Sequence, residues 1–426
     1  MFREYFDIRQ RRGEITYLVT IIIMIVLPLH YKYLPPLMIL LCLGWIFENY
    51  SEIGKIVRSP SRYLIFAAAF FVFYLWQTAS MLYTSDLQTG WSNVFGRLSL
   101  IIFPLIYFMP GEKIRTNVTK LLRIFSICTA AFVITCFGYA LFRSIAIQNG
   151  IWSFNPHPAE YEWINYFYGT DFTYSIHPSY LSMYVLISVF ISFESWYDIS
   201  LKKAFRIGWL ILGVFLLSSI YFISSRAAII AAIIMISFYA LNKILILKKS
   251  RLIWLSIIAI LIFSLPLIRN NDRINSVIQG FSKEENFDIK KQDERILVWE
   301  SAIEIIKRNP VLGVGIGDVR TELVKEYVRI GEDKLSQERL NAHNQFLEVL
   351  LEGGVISFLM FLFILGFMIF IAINEKNLLY GLFIIMMLVF FTFETTLYRL
   401  AGNSFFPLFS FLLLYTTGEN YILNQK

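Results

Sequence analysis

Between residues 353 and 374 the chain runs GGVISFLMFLFILGFMIFIAIN without one charged side chain, and stretches of this kind recur along most of its length. In water every such run would need burial on all sides. With 57% hydrophobic and 16% charged residues, the chain has too little polar surface to provide that cover. In lipid the solvent is itself apolar, so outward-facing Leu, Ile and Phe carry no penalty. The runs exceed what a barrel strand needs and lack strict alternation. The expected fold is therefore an all-α integral membrane protein.

Twelve spans are predicted, near 15–30, 34–48, 63–83, 93–109, 121–142, 178–195, 207–223, 227–247, 252–268, 354–373, 378–397 and 403–418. They form a single polytopic domain over 1–426, with a large loop at 269–353 between spans nine and ten. The basic stretch Arg9, Arg11 and Arg12 precedes the first apolar run. No small-residue cleavage site follows it, so the run reads as a retained span and not a signal peptide.

The formal charge of +7 does not indicate nucleic acid, because most Lys and Arg sit in short loops between spans. Lys55, Arg58 and Arg62, then Lys113, Arg115 and Lys120, then Lys202, Lys203 and Arg206, then Lys248, Lys249 and Arg251 alternate with loops nearly bare of positive charge, such as Thr84–Ser92 and Asn149–Ile176, which hold none. The positive-inside rule puts these basic loops and both termini in the cytoplasm. Cys42, Cys128 and Cys136 all fall within predicted spans, so they imply neither a disulfide framework nor a metal site.

Two large segments then face outward. One, Arg143 to Ile176, is rich in aromatics (Trp152, Tyr161, Trp163, Tyr166, Phe167, Tyr168), which suit an interfacial belt or a sugar-stacking surface. The other, Arg269 to Gly353, resembles soluble structure. Ile296, Trp299, Ala302, Ile303 and Ile306 predict a helix over 293–308 that Pro310 stops. Gly313, Gly315 and Gly317 form a turn, and further helices are expected over 322–329 and 342–351. In the last of these, Asn341, Gln345, Glu348 and Glu352 share one face opposite Leu347, Leu350 and Leu351. That pattern predicts a helix lying in the membrane interface and turning at Gly353-Gly354 into the tenth span.

Several polar residues share the outer membrane depth. Arg226 sits in a tight hairpin, where it either snorkels to lipid headgroups or meets an anion. His343 leads the interfacial helix, either as a half-buried packing residue or as a general base near neutral pH. Arg295 opens the first loop helix, where a solvated surface charge is the plainer reading. Glu394 is an intramembrane carboxylate with Arg399 or Arg226 as its expected partner. Arg97 lies at the same depth. Arginine forks suit phosphate or pyrophosphate oxygens, since each can donate two hydrogen bonds to one anion.

SSRAA (224–228), ERILVWESAIEIIKRNPVLGVGIGD (294–318) and NAHNQFLEVLLEGGVISF (341–358) resemble the O-antigen ligase and polymerase family. YTSDLQTGWSNVFGRLSLIIFP (83–104) and IHPSYLSMY (176–184), with the span count and the large loop, extend the likeness. The resemblance implies a metal-independent, inverting glycosyltransferase without cofactor, acting at the periplasmic face of the bacterial inner membrane. It implies an undecaprenyl-pyrophosphate-linked glycan donor, and a lipid A core acceptor for a ligase or a growing glycan for a polymerase. On this likeness His343 takes the acceptor proton while Arg226 and Arg295 hold the pyrophosphate. Arg97, Glu394, Arg399 and His177 are then expected to bind substrate.

Two other classes fit less well. Metal-dependent oligosaccharyltransferases place acidic ligands in the first outer loop, which here is only His30–Tyr33 and holds no Asp or Glu. Transporters show internal repeats and polar residues at mid-bilayer, and this chain has its polar cluster at one face. The charge asymmetry makes the orientation testable by thiol labelling. A cysteine at Ser85 or Asn286 is expected to react with an impermeant reagent from the periplasm, and one at Ser250 is not. Labelling at Ser250 in intact spheroplasts reverses the topology.

Overall fold

The computed structural model describes residues 13–50, 62–148, 151–157, 164–247 and 294–416. The predicted ninth span, 252–268, lies outside the described residues, as do 269–293 of the large loop, Lys55, Arg58, Lys248, Lys249, Arg251, Tyr161 and Trp163. Six helical stretches among the described residues are long and apolar enough to cross a membrane. Two shorter apolar helices, Leu378–Phe393 and Leu400–Tyr415, accompany them. Large aliphatic side chains point outward from the bundle, with Ile211 64% and Ile373 69% exposed, as a lipid-facing surface allows. The chain is a multi-pass, helical membrane protein.

The first two helices, Glu14–His30 and Leu34–Asn49, fold back on each other. Glu48, buried near the end of the second, accepts the backbone N–H of Ile15 at 2.6 Å and of Thr16 at 3.3 Å. A helix start leaves such N–H groups without partners, so this carboxylate both caps the first helix and closes the hairpin. Pro178–Tyr197, Lys203–Ile223 and Arg226–Leu247 follow as successive antiparallel helices. Their short connections put the start of the first, the end of the second and the start of the third at one end of the bundle.

One expectation changes here. The predicted fourth span, 93–109, is two helices: Leu87–Gly96 ends, the chain turns at Arg97, and Ser99–Tyr107 resumes. The break falls where the Arg97 side chain turns into the bundle to meet a carboxylate. Glu112–Ser144 also runs into a β-ribbon of Ile145–Gln148 and Ile151–Phe154, with Ile145 opposite Phe154. This ribbon is a local addition to an otherwise helical fold. Its β-branched and aromatic residues favour an extended backbone.

The loop before the tenth predicted span is a helical lobe. Glu294–Arg308, Val319–Arg329 and Asp333–Glu338 pack around their own core of Val298, Ala302, Ile305, Leu323 and Tyr327. Leu351, from the helix that follows, completes this core. That helix, Gln345–Asn374, is broken at Gly353 and Gly354, where the sequence places its turn. Its first segment is not an interfacial helix with a wet face. Gln345, Glu348 and Glu352 are buried at 1%, 2% and 1% exposure, so both faces are covered and the segment is wedged between lobe and bundle.

A break inside a buried helix strands backbone groups, and here the glycine-rich loop supplies their partners. Leu351 O and Glu352 O accept from Val314 N (2.7 Å) and Gly315 N (3.1 Å), while Val355 N donates to Pro310 O (2.9 Å). Trp76 Nε1 donates to Gly353 O at 3.0 Å. Asp318, at the end of the loop, accepts from Ser85 N (2.7 Å) and Asp86 N (2.8 Å), tying it to the segment after Arg62–Ala79. Gly354 has φ 64° and ψ −163°, a region only glycine occupies at ease, and an added Cβ would lie 2.0 Å from Val311 O. Gly354→Ala is therefore expected to lower stability by at least ~1–3 kcal/mol, seen as an earlier melting transition of the detergent-solubilised protein. Gly366→Ala, in the same helix with open space around it, is the control. It should melt at or above the wild-type temperature.

Candidate active site

Glu394 is the meeting point of the cluster. It follows the end of Leu378–Phe393, where the backbone turns extended at φ −146°, ψ 146° and leads its carboxylate away from the helix. Three chain segments reach it. Arg295, in the first turn of the lobe, brings Nη2 to 3.4 Å from Oε1. His343 brings Nδ1 to 3.6 Å from Oε2. Ser179 donates its Oγ–H to Oε1 at 2.9 Å.

His343 does not open the last helix as expected but precedes it, at φ 45°. Its N–H donates to Asn341 Oδ1 at 3.2 Å, and the next residue, Asn344, caps the helix by accepting from Phe346 N (2.9 Å) and Leu347 N (3.1 Å). A left-handed backbone is uncommon outside glycine, and here it is held between two Asn side-chain contacts. With Nδ1 facing Glu394, Nε2 lies on the opposite edge of the ring. At 3.6 Å the contact is electrostatic, longer than a hydrogen bond, and closing it needs only a small ring movement. Gln345 ties the two sides together: buried, it accepts the Leu397 N–H at 2.7 Å and so holds the Glu394 segment beside the His343 turn.

His177 caps the Pro178–Tyr197 helix, its Nδ1 accepting from Ser179 N at 3.4 Å. Burial pushes its pKa below the ordinary histidine value. Glu394 opposes that shift, and the nearby Arg399, His343 and Arg295 reinforce it. His177 is thus a neutral ring at neutral pH. The site therefore gathers one carboxylate, two histidines and two arginines, and the two guanidinium charges exceed the one the carboxylate carries, which suits a multiply charged anion.

Of the sequence candidates, the fold brings together His343, Arg295, Glu394, His177 and Arg399. The expected partner of Glu394, Arg399 or Arg226, is replaced by Arg295 and His343. Arg399 is exposed beside them and is felt electrostatically at His177. Arg226 begins its helix after the left-handed turn at Ser224, half-buried, at the same end of the bundle as His177. Arg97 departs from expectation. Its side chain is only 4% exposed and forks onto Glu352, so it is enclosed by protein instead of presented to substrate. Ser179 and Gln345 join the cluster without a sequence signal of their own: one reads as a helix start, the other as part of a polar helix face. A cavity of about 930 Å³ lies at the opposite end, lined by residues such as Ile191, Phe238, Lys243 and Leu388. It shares no residue with the cluster, so size does not locate the site.

Residues 211–362 match the family model described as O-antigen ligase. Over these residues the chain is similar to the O-antigen ligase family. The matched region holds Arg226, Arg295 and His343, whereas Glu394, His177 and Arg399 lie outside it. No curated protein matches the chain. The match supports, at a coarse level, an enzyme of the O-antigen ligase type. The hub geometry has a measurable consequence. Glu394→Gln keeps the shape but removes the charge shared by His343 and Arg295, at ~1.5–3 kcal/mol for a charge-assisted contact. Turnover per folded molecule is expected to fall about ten- to hundredfold, and unchanged turnover would show that the carboxylate only anchors the helix end.

Proposed function

We propose that this protein moves a glycan from undecaprenyl pyrophosphate to the lipid A core, as an O-antigen ligase at the periplasmic face of the inner membrane. The observation that carries this reading is the convergence of His343 and Arg295 on Glu394, beside His177 and Arg399. Its position at one end of the bundle suits a carrier whose tail stays in lipid while its pyrophosphate meets the cations.

The chemistry needs two things from the protein. Pyrophosphate is a good leaving group, so Arg295 and Arg226, with Arg399 nearby, serve by stabilising the charge that develops as the glycosyl C–O bond breaks. The acceptor hydroxyl must lose its proton as its oxygen bonds to the anomeric carbon, and His343 receives it at Nε2. Glu394 at the Nδ1 edge fixes the ring and stabilises the imidazolium formed. Attack opposite the leaving group inverts the anomeric centre. Undecaprenyl pyrophosphate departs as the anion paired with arginine, and no metal ion is needed to neutralise it.

Deleting the gene and examining the lipopolysaccharide tests the acceptor. Loss of polymer from the lipid A core is the ligase outcome, and a core bearing a single repeat unit would identify a polymerase instead. His343 is tested in the purified enzyme with the Gln, Asn and Ala variants side by side. General-base assistance contributes about 10²–10⁴-fold, and each variant is expected to lose rate on that order while donor binding holds. A well-folded His343→Gln enzyme with near-normal transfer removes His343 from the chemistry.

A further inference from the structure

Arg97 is the least expected charge in the molecule. Its guanidinium is buried, donating from Nη1 to Glu352 Oε2 at 2.7 Å and to Gln77 Oε1 at 2.9 Å, and from Nη2 to Glu352 Oε1. Gln77 in turn donates to Ser357 Oγ at 3.1 Å, just past the helix break. Placing an ion pair in such surroundings costs several kcal/mol per ion, and apolar residues of similar volume often serve stability as well or better. What an arginine fork supplies that packing does not is a single angle, because two parallel N–H···O bonds to one carboxylate fix both distance and rotation.

That angle matters because of where Glu352 sits. It ends the short segment 345–352, immediately before Gly353 and Gly354 break the helix. Backbone bonds from Val314 and Gly315 hold the end of this segment through the Leu351 and Glu352 carbonyls. Two side chains add to its hold against turning about the helix axis: Glu352 on Arg97 at one end, and Gln345 on Leu397 at the other. His343 precedes Gln345 by two residues, so rotation of the segment swings its ring past Glu394. We propose that Arg97 is a positioning residue for glycan transfer: by gripping Glu352 at the helix break it sets the rotation of 345–352, and thereby the approach of His343 to Glu394. This rests on the reading of His343 as the proton acceptor.

The test uses full-length protein in lipid nanodiscs with a lipid-linked glycan donor. The paired variant Arg97→Gln, Glu352→Gln leaves no stranded charge and is expected to fold. Misplacement of a reacting group by about 1 Å costs on the order of a hundredfold. Its kcat is therefore expected to fall roughly ten- to hundredfold, with the donor KM within about twofold of wild type. Arg97→Lys, which keeps the charge but not the fork, should fall between the two. The second readout is the rate at which diethylpyrocarbonate modifies His343, followed by mass spectrometry, and the paired variant is expected to change it. Unaltered kcat per folded molecule with an unaltered modification rate overturns the proposal and leaves Arg97 a packing residue. A raised donor KM at constant kcat also overturns it, since Arg97 would then contact substrate. Should wild-type protein transfer no glycan from this donor, the functional reading fails, and the His343 modification rate still decides the role of Arg97.

Discussion

A helix broken in the middle of a packed protein has to find partners for its freed backbone groups, and the rest of this structure is arranged around that requirement. At Gly353 and Gly354 the partners come from the 310–315 loop and from Trp76. The lobe cannot drift from the bundle without exposing those carbonyls and amides. This is why a segment that looks like soluble structure in the sequence is rigidly attached to the spans. The glycines at 313 and 354 are the residues that let two backbones approach closely enough for the bonds to form. Arg295 and His343, at the two ends of the lobe's sequence, inherit their placement from this joint.

Electrostatics then divide the buried charges into two kinds. Arg97 and Glu352 satisfy each other almost completely and leave little field outside the bundle. The Glu394 cluster is unbalanced by design of the fold, with more cationic groups around one carboxylate than it can neutralise. His343 and Arg295 are also partly open, at 29% and 26% exposure, so an incoming anion can reach them. The same residue types thus serve structure where they are sealed and paired, and recognition where they are open and in excess.

Much of this was legible in the sequence, and the exceptions share one cause. Hydropathy located the helices, Pro310 the end of the first lobe helix, and Gly353-Gly354 the break. The importance of Glu394 could be read because a carboxylate in an apolar run stands out. The break at Arg97 could not, since its cause, Glu352, is 255 residues away in the chain. The inward polar face of 345–352 was misread for the same reason. A row of Gln and Glu looks like a wet surface until Gln77, Arg97 and Leu397 arrive to cover it. Sequence periodicity shows which residues share a face, and only the fold shows what that face meets.

The cluster also has a consequence for the life of the protein before it is finished. Ser179, Arg295, His343 and Glu394 come from four stretches of chain, and the one that gathers the others is the last to be synthesised. A chain still emerging from the ribosome has arginines and a histidine in place but no carboxylate to align them. The cluster is complete only when the final helices are inserted, so an incomplete molecule in the membrane lacks the carboxylate that gathers the other three side chains.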